Sequence, residues 1–234
     1  MDSGKYKSSG YNASLPARLQ VDNTIRLMQD MKGGNDIRQW SGTTRRELEL
    51  SEQVDIVNDN GDFIATAPKL ALVVVSSVFR DHFNNTPEAK FVKIDPSLDD
   101  SAVAFLAAWV KAIVRSTGKF GVGLPPLNTD LIKVRHAAHF LGMELYVRHF
   151  QKAYKDDLRN RTPPTEECVL LERCVVGPVD DMMTGLGERL AYLRRRGDFD
   201  AASIAKLAEF LQDHPVIAQA VYDADVRAAK ARKP

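Results

Sequence analysis

Cysteine is nearly missing from this chain: Cys168 and Cys174 are the only two in 234 residues. A secreted scaffold stapled by disulfides needs more, so a reducing compartment is the expectation. Long apolar runs are missing as well. The longest, such as Leu70 to Val75, fall far short of the roughly 18–20 residues that cross a bilayer. The opening MDSGKYKSSGYNASLP is polar where a secretory leader has a basic start and an apolar run. These absences predict an intracellular protein of the cytoplasm or nucleus, with no membrane partner and a disordered opening. A net charge is also lacking. Lys and Arg number 32 against 31 Asp and Glu, so the balance of +1 creates no whole-chain field for nucleic acid or anionic lipid. No Gly-Lys-Ser/Thr phosphate loop occurs, and Gly121-Val122-Gly123 lacks the third glycine and following helix of a dinucleotide fingerprint.

What is present is 44% hydrophobic residues, enough for one domain of ordinary size with additions. Its pattern begins with one helix from Pro16 to Met31, where Leu19, Ile25, Leu27, Met28 and Met31 form a partial apolar stripe. The polar stretch from Asn35 to Gln53, with Trp40 isolated in it, reads as a linker or a segment that orders against something else. Alternation in V-D-I-V, turn residues Asn58 to Gly61, and Phe63-Ile64-Ala65 predict a hairpin. From Pro68, Leu72, Val75, Phe79 and Phe83 fall on one helical face. Ala89 to Ile94 reads as a third strand. Asp99, Asp100 and Ser101 cap a helix to Ser116 whose Val103, Phe105, Leu106, Trp109, Val110, Ile113 and Val114 leave little polar surface, so it is the expected central helix. Phe120, Val122 and Leu124 suggest a short strand. A helix from Asn128 to Leu141, a break at Gly142 and a second helix from Glu144 to Leu158 follow. After Pro163 and Pro164 only helices are predicted: Thr165 to Val176, Val179 to Arg195, Ala201 to Gln212 and Val216 to Lys230, the second with a stripe of Val179, Met182, Met183, Leu186, Leu190 and Leu193.

This order of elements predicts a helix-rich mixed α/β (α+β) fold, a small sheet flanked by helices, followed by an all-helical region. The expected organisation is an N-terminal extension over residues 1–50, a domain over 51–160 and C-terminal helices over 161–234.

Several blocks in this order carry a family resemblance. The hairpin V-D-I-V-N-D-N-G-D-F-I-A, then Leu70, Ser77, Val78 and Phe79, then F-V-K-I-D, S-A-V-A-F-L-A-A-W-V and Thr117-Gly118-x-Phe120 lead to L-I-K-V-R-H-A-A-H-F-L-G-M-E-L. Residues 54 to 158 resemble the BTB/POZ family, within the wider group that includes elongin C, and the flanks look like the extensions of fungal BTB proteins. Thr66 stands where many members have His, and the spacing from Phe63 to Phe79 is longer than usual. The resemblance implies a fold that catalyses nothing and works by association: homodimers, heteromers with other BTB proteins, scaffolds, corepressor docking and adaptors of cullin-based ubiquitin ligases. It implies a core containing Phe63, Phe79, Leu106, Trp109, Val110, Leu141 and Met143. It also implies partner contacts on the first helix and the loop after it, at Val73, Ser76, Arg80, Asn84, Asn85 and Glu88. Adaptors usually carry a substrate reader, and this chain has neither blade repeats nor Cys/His finger spacing.

The remaining chemistry-bearing residues have plain structural readings. His136 and His139 lie within the Ala-Ala motif of a packing helix, and neither they nor His149 has a carboxylate at zinc-protease spacing. Cys168 and Cys174 are separated by about 600° of helical rotation, which points them to different faces. No catalytic residue, cofactor or metal site is nominated. Arg194, Arg195 and Arg196, with Lys230, Arg232 and Lys233, sit where cations favour helix C-termini. They leave open a second expectation, a BTB-type transcription or chromatin regulator touching nucleic acid weakly through these basic segments. Arg196-Gly197-Asp198 reads as an interhelix turn.

Overall fold

The computed structural model describes residues 15–31, 33–177, 179–196 and 201–231. The expectations for the polar opening, for the turn at Gly197-Asp198 and for Arg232 and Lys233 lie outside them. The fold is α+β and helix-rich. Two compact units divide it: Met1–Leu124 with Lys133–Val147, and Pro125–Ile132 with Arg148–Pro234. The break therefore falls at residues 147 and 148 rather than near 160, and the expected N-terminal extension counts with the first unit.

In the first unit, β1 (Gln53–Val57) lies centrally, with β2 (Phe63–Pro68) antiparallel on one side and β3 (Phe91–Lys93) parallel on the other. Val54, Ile56, Ala67 and Val92 turn inward. The register slips between Ile56 and Val57, so that Val57 faces Phe63 and Ile64 is the extra residue of a bulge. The face of every residue beyond the bulge is thereby reversed. Phe63, expected in the core, is 64% exposed.

The helix expected after Pro68 forms in two pieces, α3 (Lys69–Val75) and α4 (Ser77–Asn85). Between them Ser76 is extended, and its hydroxyl accepts from the Phe79 amide, the geometry of an N-cap. All of α3 is buried, including Leu70, Leu72 and Val75, and Phe79 and Phe83 of α4 join it. The central helix α5 (Asp100–Arg115) begins where expected, with the Asp99 carboxylate accepting from the Ala102 amide. Leu106, Trp109, Val110, Ile113 and Val114 are buried.

Of the two readings of residues 35–53, the segment that orders against the rest of the chain is the one observed. Upstream of it α1 (Ala17–Asp30) packs Val21, Leu27 and Met28 into the core alongside α3, while Leu19 stays exposed. A 3-10 turn (Ile37–Gln39) and α2 (Gly42–Glu49) follow, α2 lying on α5. Trp40 is 1% exposed and its indole donates to the Gly34 carbonyl. The Tyr146 hydroxyl donates to the Asn35 carbonyl and accepts from the Ile37 amide. Phe120 to Leu124 is irregular rather than a strand, held by the Val122 amide on the Tyr146 carbonyl. α6 (Asn128–Phe140) belongs to the second unit in its first turn and to the first unit thereafter, where Leu141 and Met143 are buried. A 3-10 turn (Glu144–Tyr146) replaces the start of the helix expected from Glu144.

The second unit is helical among its described residues: α7 (His149–Leu158), α8 (Thr165–Arg173), α9 (Asp181–Arg196), α10 (Ala201–Asp213) and α11 (Pro215–Ala231). Asp180 caps α9 by accepting from the Met182 and Met183 amides. The stripe Met182, Met183, Leu186, Leu190 and Leu193 is buried, whereas Val179 precedes the helix and is exposed. α9 and α11 approach backbone to backbone at Gly187, where an added Cβ would stand 2.5 Å from the Ala220 carbonyl carbon and oxygen. Gly187→Ala is therefore expected to destabilise the protein by about 1–3 kcal/mol, the cost of overpacking. Thermal unfolding followed by circular dichroism checks it, and an unchanged midpoint would contradict this contact.

Candidate functional site

The association surface expected on the first helix does not assemble. Val73 and Ser76 are fully buried, because α3 is an interior helix and Ser76 is the cap between it and α4. The Ser76 hydroxyl donates to the Leu141 carbonyl. Arg80 is half-buried and its guanidinium donates to the Val73 and Val74 carbonyls at 3.0 and 3.2 Å, closing the end of α3. Burial lowers its pKa. Of the six positions, Asn84, Asn85 and Glu88 are exposed.

Their loop is fixed from beneath. The buried Lys69 ammonium donates to the Pro87 carbonyl at 2.8 Å, pairs with Glu52 at 2.5 Å and lies 5.5 Å from the Phe83 ring centre. Arg18 donates to the Asn84 carbonyl. The outward side of α4 is polar, with Ser77, Asp81, Asn84 and Asn85, and Val78 is its exposed large apolar residue. An interface core depleted of charge and rich in aromatics is not found there.

A different surface carries two large exposed aromatics, beside Asp55 and Lys93. On the outer face of the sheet, Phe63, Val57 and Lys93 form one row, and Thr66, Asp55 and Phe91 the next. Phe63 is 64% exposed and Phe91 56%. Lys111 of α5 donates to the Thr66 hydroxyl at 2.7 Å, beside this face. The outward turn of Phe91 was readable from its parity with Lys93 in F-V-K. That of Phe63 was not, because it depends on the bulge.

No protein-family model, curated protein or solved structure matches this chain.

The other nominated groups are structural in their surroundings. The His136 and His139 rings lie 4.7 and 5.5 Å from the ring of Phe140, and His139 Nδ1 is 2.9 Å from Glu144. In the second unit His149 stands edge-on to Phe150. Among the described residues, no three His, Cys, Asp or Glu side chains gather as cation ligands. Cys168 and Cys174 are buried and unbridged. Burial, with Glu167 beside it, pushes the Cys168 thiol up to about 12, far from a reactive thiolate at neutral pH. Tyr154 donates to Glu167, which also takes Arg161 at 2.7 Å. Arg194 and Arg195 both pair with Asp225, so one of their two charges is answered locally. No described helix is long and apolar enough to cross a membrane.

Proposed function

We propose that this chain is a protein-association module whose first unit works as a BTB/POZ-like domain, by binding and not by catalysis. The observation that carries the reading is the pair of large aromatics, Phe63 and Phe91, turned to solvent on one face of the sheet. Exposed aromatics on a rigid scaffold are the usual anchors of protein interfaces. Further support comes from the element order: a hairpin, the helix expected after it, here in two pieces, a third strand and then a buried central helix follow in the order of the resembling blocks. The partners are a second copy of the chain, another BTB protein or a cullin, the C-terminal helices extending the last contact.

Light scattering on the whole protein tests this, alone and mixed with the N-terminal domain of a BTB-binding cullin. The expected result is twice the chain mass, returning to the chain mass when Phe63 and Phe91 are both replaced by Ser. Both positions are exposed, so the doubly substituted protein should keep the circular dichroism spectrum of the folded chain. Gain of the cullin's mass would specify an adaptor. A monomer that gains no mass, or a dimer indifferent to both substitutions, would count against the proposed surface.

A further inference from the structure

The second unit concentrates positive charge in a place that the reading of the first unit does not use. Two recesses of about 450 and 470 Å³ adjoin where α9 packs on α7, and Lys155 and Arg159 line both.

Their cations form a row. Arg148, Lys152, Lys155 and Arg159 follow one another at steps of four, three and four residues, and the backbone stays helical at Arg148 and Arg159 on either side of α7, so the four share one helical face. At 1.5 Å of rise per residue the row is about 16 Å long, enough for several phosphates of one strand. Arg189 enters from α9. Its Nε donates to the Arg161 carbonyl at 2.8 Å, which fixes the guanidinium, and the guanidinium carbon stands 5.5 Å from the Tyr192 ring centre. Lys155 crosses α9 at Gly185, where an added Cβ would lie 2.7 Å from its Cγ.

The acids beside the row do not cancel it. Asp156 is shared by Lys152 and by Arg159, the latter at 2.9 Å, and Asp181 stands 3.9 Å from Lys155. Glu188 is 3.3 Å from Arg227, a cation outside the row. The row with Arg189 thus sets five cations against the two carboxylates of Asp156 and Asp181, leaving three positive charges unanswered in a chain whose whole balance is +1. Arg148 and Arg189 have no carboxylate partner among the described residues. Arg196 donates to the Tyr192 hydroxyl at 3.0 Å and buttresses the ring; it is not counted.

Among these cations Tyr192 is 41% exposed. A row of cations that tracks a backbone, with an aromatic ring on which a base can stack, is the combination that holds single strands without reading their sequence. The ring is what discriminates. An oligoglutamate offers charge but no planar group, a duplex keeps its bases stacked inside, and an anionic bilayer has none.

We propose that the groove between α7 and α9 binds single-stranded nucleic acid, with the α7 row and Arg189 contacting its phosphates and Tyr192 stacking on a base.

The test is fluorescence anisotropy of the full chain with a short labelled oligouridylate at low salt. Oligothymidylate, a duplex of equal length, oligoglutamate and phosphatidylserine vesicles serve as parallel probes. Micromolar binding is expected for both single strands, at least tenfold tighter than for the other three. The logarithm of the binding constant should fall with that of the salt concentration with a slope of about −2 to −3, as neutralising three or four phosphates of a single strand requires. Arg148→Glu combined with Arg189→Glu should weaken binding at least tenfold. Tyr192→Ala should weaken it at least fivefold while Tyr192→Phe, which keeps the ring, stays within twofold. Lys206→Glu, on α10 and outside both recesses, should stay within threefold. Circular dichroism checks the fold of each variant. No binding of either strand at low salt, equal binding of oligoglutamate, duplex or vesicles, or a loss in Lys206→Glu as large as in the double variant would overturn the proposal. None of these outcomes bears on the mass measurements that test the first unit.

Discussion

Trp109→Ala is expected to lower the stability of the protein by about 3–5 kcal/mol, the range for removing a large aromatic from a packed core. Trp109 is 5% exposed on the inner side of α5. Its ring lies 4.6 Å from that of Tyr146, tilted by 43°, and its indole N–H reaches the Phe120 carbonyl at 3.3 Å. Removing it empties the space between the central helix and the turn carrying Tyr146. Tyr146 in turn holds the N-terminal segment at Asn35 and Ile37. The loss should therefore loosen residues 35–40 as well, seen as faster amide exchange there in addition to a lower midpoint in urea. A midpoint shift near zero would remove α5 from the centre of the core.

Arg45→Met is expected to cost about 3–4 kcal/mol, although its side chain touches no acid. Arg45 is 1% exposed on α2, and its guanidinium donates to the Ile113 carbonyl at 3.1 Å, Gly118 at 2.6 Å and Thr117 at 3.1 Å. These carbonyls close the C-terminal end of α5, where partial negative charge collects and four carbonyls lack helical partners. Hydrogen bonds to a charged donor contribute about 1.5–3 kcal/mol each, and leaving buried acceptors unanswered carries a desolvation cost of its own. Methionine fills much of the space but offers no donor. Arg45→Lys should recover less than half, because a single ammonium cannot span the three carbonyls as a planar fork does. Chemical denaturation of the three proteins checks this; equal midpoints for arginine and methionine would show that the cap contributes nothing.

Most of the elements were legible, for reasons visible in particular residues. α5 could be placed because its apolar residues nearly encircle it and Asp99 stands at its start. α9 was marked by a stripe at helical spacing, and α6 by the end at Gly142. The failures have a common physical origin. Trp40 looked isolated because nothing in the polar run around it shows that it is buried, and Arg45 drew no notice because nothing local hints at carbonyls 68 to 73 residues away, at and just beyond the end of α5. Ser76 was read as surface because helical spacing continues across it, while its hydroxyl in fact ends one helix and begins another. The candidate interface failed for the same reason, two of its six residues being interior.

The sequence by itself determined the class: a helix-rich α+β chain with a hairpin, a buried central helix and a run of C-terminal helices, because burial periodicity and caps act over a few residues. Only the tertiary structure decided which surfaces are left to meet a partner. One bulged residue at Ile64 turned Phe63 outward beside Phe91, and the approach of α7 to α9 gathered cations from separate helices around Tyr192. Both depend on how distant segments register against each other, a choice made by packing over the whole unit and not by any local run of residues.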